Sequence, residues 1–133
     1  MGLEVGLQAA LVHIVGAEDT ALSVGSGDVE VLATPRLLAL CEAACIGALG
    51  DADLAAATTT VGTRVQLEHL RASTVGETVR AAARLAAVDG RLLQFEVAVT
   101  DDSDRLVGRC TLTRVLVDRE RFVARAASQL DAR

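Results

Sequence analysis

Tryptophan and tyrosine are absent from this chain of 133 residues, and phenylalanine occurs only at Phe95 and Phe122. Single-stranded nucleic acids are held by stacking bases on aromatic rings, so that platform is missing. A basic face is missing as well. Thirteen basic side chains stand against 18 acidic ones, a net charge of −5 that disfavours the phosphate neutralisation on which duplex binding depends. No apolar run reaches the ~20 residues that span a bilayer. The opening stretch MGLEVGLQAALVHIVG has no basic start, and Glu4 and His13 interrupt its apolar run, which argues against a secretion signal. Gly6 stands where a myristoylation motif needs Ser or Thr. The cysteines number three, an odd count without framework spacing, which fits reduced thiols rather than a disulfide scaffold. By elimination the expected compartment is the cytoplasm, with no nucleic-acid or membrane partner.

What is present is small and apolar. Hydrophobic residues make up 51% of the chain, and most are Ala, Val and Leu, so the core must fill space by close approach of a helix to a sheet or of one subunit to another. The length suits one domain with a real core. Without a repeat, low-complexity tract or Pro/Gly-rich linker, residues 1–133 are expected to form that single domain.

Local signals then give an order of elements. Gln8 to Val15 reads as a first strand, and the polar, Gly-containing stretch Glu18 to Gly27 as a loop or flap. Thr34-Pro35 is the strongest local signal: Thr can cap the early N–H groups of a helix, and Pro gives up no donor the helix needs there. The spacing predicts a helix over Pro35 to Leu49, ending at Gly50. Strands are expected at Thr58 to Leu70, Thr78 to Val88, Arg91 to Thr100 and Arg105 to Val117. Turns fall around Gly76, at the hairpin dipeptide Asp89-Gly90, and at Asp101 to Asp104. In the fourth strand Leu93, Phe95, Val97 and Val99 alternate onto one face. Asp118 to Leu130 reads as a short amphipathic tail helix. The sum is an α+β fold with an antiparallel sheet wrapped around one long helix. Such a sheet leaves an edge uncovered, so a homodimer, or a dimer of dimers, is expected.

Glu42 is the anomaly in the helix, surrounded by Leu37, Leu38, Leu40, Cys41, Ala43, Ala44, Cys45 and Ile46. A helix apolar almost all round is a buried one, and a carboxylate in it demands a partner or shifts its proton affinity. His69 is the second candidate, near the end of VQLEHLRAS; an isolated strand histidine is more often a surface residue. His13 has no companion motif. Thr34 is explained by capping alone, yet it also sets a hydroxyl and free N–H groups at the positive end of a helix, where an anionic oxygen is stabilised. Cys41 and Cys45 share a helix face without further ligands, so they read as buried small hydrophobes, and neither a metal nor a cofactor is expected. No phosphate loop, nucleophile elbow or dinucleotide fingerprint occurs.

The stretch EVLATPRLLALCEAAC, Glu30 to Cys45, resembles the helix-entry motif of the fluoroacetyl-CoA thioesterases and their hotdog relatives. That motif has a Thr at the helix start, a Glu eight residues on, then Ala-Cys; here these are Thr34, Glu42, Ala44 and Cys45. The family's Gly-Thr…His segment is matched by Gly62, Thr63 and His69, its later turn by Val88, Gly90, Arg91 and Leu93, and its final-strand Arg by Arg114. The similarity runs from the first strand to Phe122. The resemblance implies a hotdog fold, a homodimer with sites at or near the subunit interface, and hydrolysis of a small acyl-CoA or a carrier-bound acyl thioester. It also implies roles: Thr34, Glu42 and His69 as the catalytic group, Gly62 lining the acyl pocket, and Arg114 beside the site. The family's lid with its aromatic gate is not matched, since Val24 to Val31 is shorter and carries Asp28 but no aromatic residue. The resemblance therefore extends to the hydrolytic machinery and not to the fluoroacetyl gate.

Thioester cleavage needs an activated nucleophile and donors for the oxyanion. On this reading His69 and Glu42 activate either water or the Thr34 hydroxyl. The alternative is a non-catalytic hotdog protein that holds an acyl-CoA or a small hydrophobic ligand. Arg64, Arg71, Arg80, Arg84, Arg114 and Arg119 are the candidates for meeting CoA phosphates, unranked by sequence.

Overall fold

Alternation builds the sheet, and the sheet positions everything else. In a computed structural model describing residues 3–50, 52 and 54–131, strand β4 (Leu92–Asp101) buries Leu93, Phe95, Val97 and Val99 to 3% exposure or less. The intervening residues face outward, as a period of two requires. β1 (Gln8–Ile14), β2 (Thr58–His69), β3 (Thr78–Asp89) and β5 (Leu106–Asp118) complete a five-stranded antiparallel sheet of order β1-β3-β4-β5-β2. β1 and β2 are its edges.

The β3–β4 hairpin is tight, but its loop lies one residue later than the Asp89-Gly90 dipeptide indicated. Asp89 pairs with Leu92, so Gly90 and Arg91 form the turn. Gly90 takes φ +60, which a residue without a Cβ adopts without strain.

Between β1 and β2 the chain makes a 3₁₀ turn (Ala17–Asp19), a one-turn helix α1 (Ala21–Val24) and the long helix α2 (Thr34–Leu49). The stretch expected to be a loop or flap thus holds some helix. α2 buries Leu37, Leu40, Cys41, Ala44, Cys45 and Ala48, a stripe at helical spacing. That stripe belongs to one core with Leu85, Leu93, Phe95, Val97, Val99, Cys110 and Leu112 of the sheet. The helix is not buried all round, however. Ala43, Ile46 and Gly47 are exposed on its outer side, because a single sheet covers only one face. A C-terminal helix α3 (Arg119–Asp131) follows β5 as the sequence indicated. All three cysteines are buried free thiols, and burial, the largest influence on Cys45, pushes that thiol up to about 12. No described helix is long and apolar enough to cross a membrane.

Candidate active site

The helix begins one residue earlier than Thr34-Pro35 implied. Ala33 is the cap, without a side-chain hydrogen bond, and Thr34 and Pro35 occupy the first turn. The Thr34 hydroxyl therefore does not cap anything. It is exposed and hydrogen-bonded to His69 Nδ1 at 2.8 Å. Residues 35 apart in sequence meet because α2 starts beside the end of edge strand β2.

The His69 ring is only partly exposed. Burial pushes its proton affinity below the ordinary value of 6.5, partly offset by the backbone of Arg71. Nε2 is buried without a hydrogen-bond partner among the described residues. The tautomer matters here. If Nδ1 accepts the Thr34 proton, the ring's own proton sits on that unpartnered Nε2, and a carboxylate there would both hold the tautomer and stabilise the imidazolium. In the single chain the neutral ring is therefore the favoured form, a preference that a carboxylate brought to Nε2 would oppose.

Glu42 is elsewhere. Eight residues along α2 from Thr34 is a rise of ~12 Å, and the carboxylate is not among the partners of His69. Its Oε2 accepts from Arg114 Nη1 at 3.0 Å. Arg114, on β5, is 6% exposed and fully committed: Nε donates to Thr60 Oγ1 at 2.9 Å and Nη2 to the Thr60 carbonyl at 3.0 Å. The partner that a carboxylate on this helix required is thus Arg114, and Glu42 itself is half-exposed rather than buried, its side chain 36% accessible. Gly62 sits beneath the pair. A Cβ there would stand 2.7 Å from Glu42 Oε2 and 3.4 Å from Arg114 Nη1, so a side chain at this position would displace the Glu42 carboxylate from where it rests. A β-bulge between Gly62 and Arg64 bends the edge strand at the same point.

The described chain therefore holds two half-sites, Thr34 with His69 and Glu42 with Arg114 and Gly62. A groove of about 370 Å³ opens at the first, lined among others by Ala21, Gly27, Val29, Leu70 and Arg71. Larger hollows of about 530 and 510 Å³ lie over the outer face of the sheet, away from both half-sites.

Sequence reasoning passed over Asp19. It is 1% exposed in the 3₁₀ turn, and its carboxylate accepts from His13 Nε2 at 2.7 Å, the Gly16 N–H at 2.8 Å and Arg36 Nε at 2.8 Å. Its carbonyl accepts the Ala33 N–H at 2.9 Å, so Asp19 fastens the chain on both sides of Thr34. Only the chemical oddity of a histidine on a strand, His13, hinted at it.

Comparison with known proteins gives a consistent result. The profile of the fluoroacetyl-CoA-specific thioesterase family matches residues 15–120. The fluoroacetyl-CoA thioesterase of Streptantibioticus cattleyicolor is 32% identical over 103 residues, covering 77% of this chain and 73% of that one. A solved structure of a fluoroacetyl-CoA thioesterase superposes with a TM-score of 0.88 at 28% identity, over 96% of this chain and 98% of the other. A Thr→Ser variant of such an enzyme in complex with acetyl-CoA also superposes at 0.88, with 26% identity over 96% and 98%. The architecture is the hotdog fold.

Proposed function

The chain belongs to the fluoroacetyl-CoA-specific thioesterase family, and we propose that it hydrolyses a small acyl-CoA with Thr34, Glu42 and His69 as its catalytic group. It is a thioester hydrolase, and acyl-CoA is its class of substrate. The observation that carries the catalytic assignment is the 2.8 Å contact between the Thr34 hydroxyl and His69 Nδ1 at the open end of a groove.

In this reading His69 takes the Thr34 proton as Oγ1 attacks the thioester carbonyl. The oxyanion is met by the first-turn N–H groups of α2, which a helix cannot pair within itself. Collapse expels the CoA thiolate, which recovers the proton from the imidazolium, and water then releases the acid from Thr34. Thiolate is a good leaving group, so no strong acid is required.

Glu42 enters from a second copy. Edge strand β2 ends in an unpaired row of N–H and C=O groups, which a second β2 can satisfy about a two-fold axis. A register that sets Gly62 opposite His69 of the partner subunit would bring Glu42, resting on Gly62, toward that ring's Nε2. The unpartnered nitrogen and the half-exposed carboxylate support this assembly, a homodimer with two composite sites. Gly62 then borders the acyl end, and Arg114 acts as the anchor that aims Glu42. We place the enzyme in the cytoplasm, where acyl-CoA and reduced thiols are found together.

The test is thiol release from short, branched and aryl acyl-CoAs, with Glu42→Gln and His69→Ala alongside. Turnover that drops about 10²–10⁴-fold in both variants is expected. A drop under tenfold in both would sink the catalytic assignment. Thr34→Ala at full turnover would make water the nucleophile. No turnover, with a bound acyl-CoA recovered intact and its affinity unchanged in Glu42→Gln, would instead leave a binding protein.

A further inference from the structure

An acidic protein that acts on a multiply anionic substrate repels it at long range, so attraction has to be supplied locally. Six arginines stood as equal candidates in the sequence, and the structure separates them. Arg114 is buried and spent on Glu42 and Thr60. Arg84 is bonded to Glu96 at 2.6 Å. Arg64 and Arg80 border hollows that contain neither Thr34 nor His69, and Arg119 lines none of the hollows at either half-site.

Arg71 differs from all of these. It lines the same groove as Thr34 and His69, and it is the one arginine there; the other walls are Ala21, Ser26, Gly27, Val29, Val31, Leu32, Leu70 and Ala72. Its backbone is fixed, since the Arg71 N–H donates to the Val107 carbonyl at 3.1 Å. Its side chain is 44% exposed and makes no hydrogen bond among the described residues. The nearest carboxylate, Asp101, is 3.7 Å from Nε and is already held by Arg105 Nε at 2.9 Å and by the N–H groups of Ser103 and Arg105. Asp101 thus contacts the guanidinium only through Nε, at 3.7 Å, and leaves its terminal donors unoccupied. Two residues beyond His69 place the Arg71 Cα about 6–7 Å farther along the chain, and the long stem reaches beyond that. The cation thus stands off from the Thr34 hydroxyl and the His69 ring along the same groove.

We infer that Arg71 is the phosphate-recognition residue of this thioesterase, binding the phosphorylated pantetheine tail that leads away from the thioester at Thr34 and His69. The inference rests on the proposed use of that groove. A planar fork with free donors matches phosphate oxygens two at a time. The same chemistry is offered by the pyrophosphate of CoA and by the phosphodiester that joins phosphopantetheine to a carrier protein.

The experiment compares one acyl group on four carriers: CoA, a carrier protein, 4′-phosphopantetheine and pantetheine without phosphate. With parent protein, Arg71→Ala and Arg71→Lys, the expected result is a KM for acyl-CoA raised about tenfold or more in Arg71→Ala, with kcat within about twofold. Kinetics on acyl-pantetheine should be the same in parent and variant, and lysine should restore part of the loss. The parent's KM for acyl-CoA should climb with salt and the variant's should not. A KM effect confined to the carrier-protein substrate supports the inference with that source as the ligand. Parent turnover of acyl-CoA with an unchanged KM in Arg71→Ala on every phosphorylated carrier overturns it. So does an equal loss on acyl-pantetheine, which carries no phosphate. If the parent cleaves none of the four thioesters, the hydrolytic reading of the groove fails first, and that outcome is distinct from either of the others.

Discussion

Asp19→Ala is expected to lower the melting temperature by roughly 10 °C, a loss of about 2–3 kcal/mol, although it lies outside both half-sites. The carboxylate is 1% exposed and collects three donors from three different segments: His13 on β1, Gly16 in the turn, and Arg36 in the first turn of α2. Removing it leaves the Gly16 N–H without its acceptor. It also frees two side chains that are 27% and 36% exposed, His13 and Arg36, which can return to water. That partial rescue is why the loss should fall short of the ~3–5 kcal/mol seen when a buried charge is stranded. Asp19→Asn keeps the shape and two acceptor sites and should lose less. A thermal melt that moves by under 2 °C in Asp19→Ala would mean the cluster is solvated in solution; shifts that small, of about 0.5 kcal/mol, are typical of surface changes.

The same group should add to the acid sensitivity of the fold. Burial works against the charged carboxylate, but the Gly16 N–H, the His13 ring and the Arg36 guanidinium outweigh it, and Asp19 is lowered from 3.8 to about 2. A carboxyl held below its unfolded value contributes stability in full above that unfolded value and loses it as pH falls through the folded one. The parent's melting temperature should therefore fall between pH 4 and 2, the interval spanned by 3.8 and about 2, while Asp19→Asn should lack this component.

The fold was legible wherever the period of the hydrophobic residues was clean. Leu93, Phe95, Val97 and Val99 announce a strand with one buried face, and all four are buried. The long helix was legible from Thr34-Pro35 and a run of Leu and Ala, but the role of Thr34 within it was not. Cap and first-turn positions differ by one residue, and only the contact with His69 shows that the hydroxyl is turned outward. Glu42 was legible as a misfit in an apolar helix. Its surroundings were not, because whether a helix face is open depends on what packs over it, and Arg114 lies 72 residues away along the chain. Gly62 was legible as a family match, but the carboxylate resting on it was not, since a Cβ there would stand 2.7 Å from Glu42 Oε2. Asp19 was illegible: a carboxylate in an irregular turn has no periodicity to stand out against, and its burial comes from three segments closing around it.

Two inactive proteins are expected to regain activity when combined, and this is the sharpest test of how the half-sites work. His69→Ala removes the base proposed for its own Thr34, and Glu42→Ala removes the carboxylate from the other half-site. If Glu42 serves His69 of the partner subunit, a mixed dimer contains one site that lacks both groups and one site that lacks neither. Random reassortment puts half the protein into mixed dimers, each with one of two sites intact, so about a quarter of the parent's activity should return. Each variant alone should sit about 10²–10⁴-fold below the parent, so the recovery would stand far above either background. If instead one chain completed its own site, every site in the mixture would carry one lesion and no activity would return. α2 holds Thr34 and Glu42 ~12 Å apart along its axis, and no movement of the helix as a rigid body shortens that separation within one chain. Refolding the two variants together from denaturant, beside each refolded alone, separates these cases in one assay. Persistent inactivity of co-refolded mixed dimers, with their formation verified by a mass tag on one variant, would mean that Glu42 and His69 serve a site within one chain and would overturn the composite site.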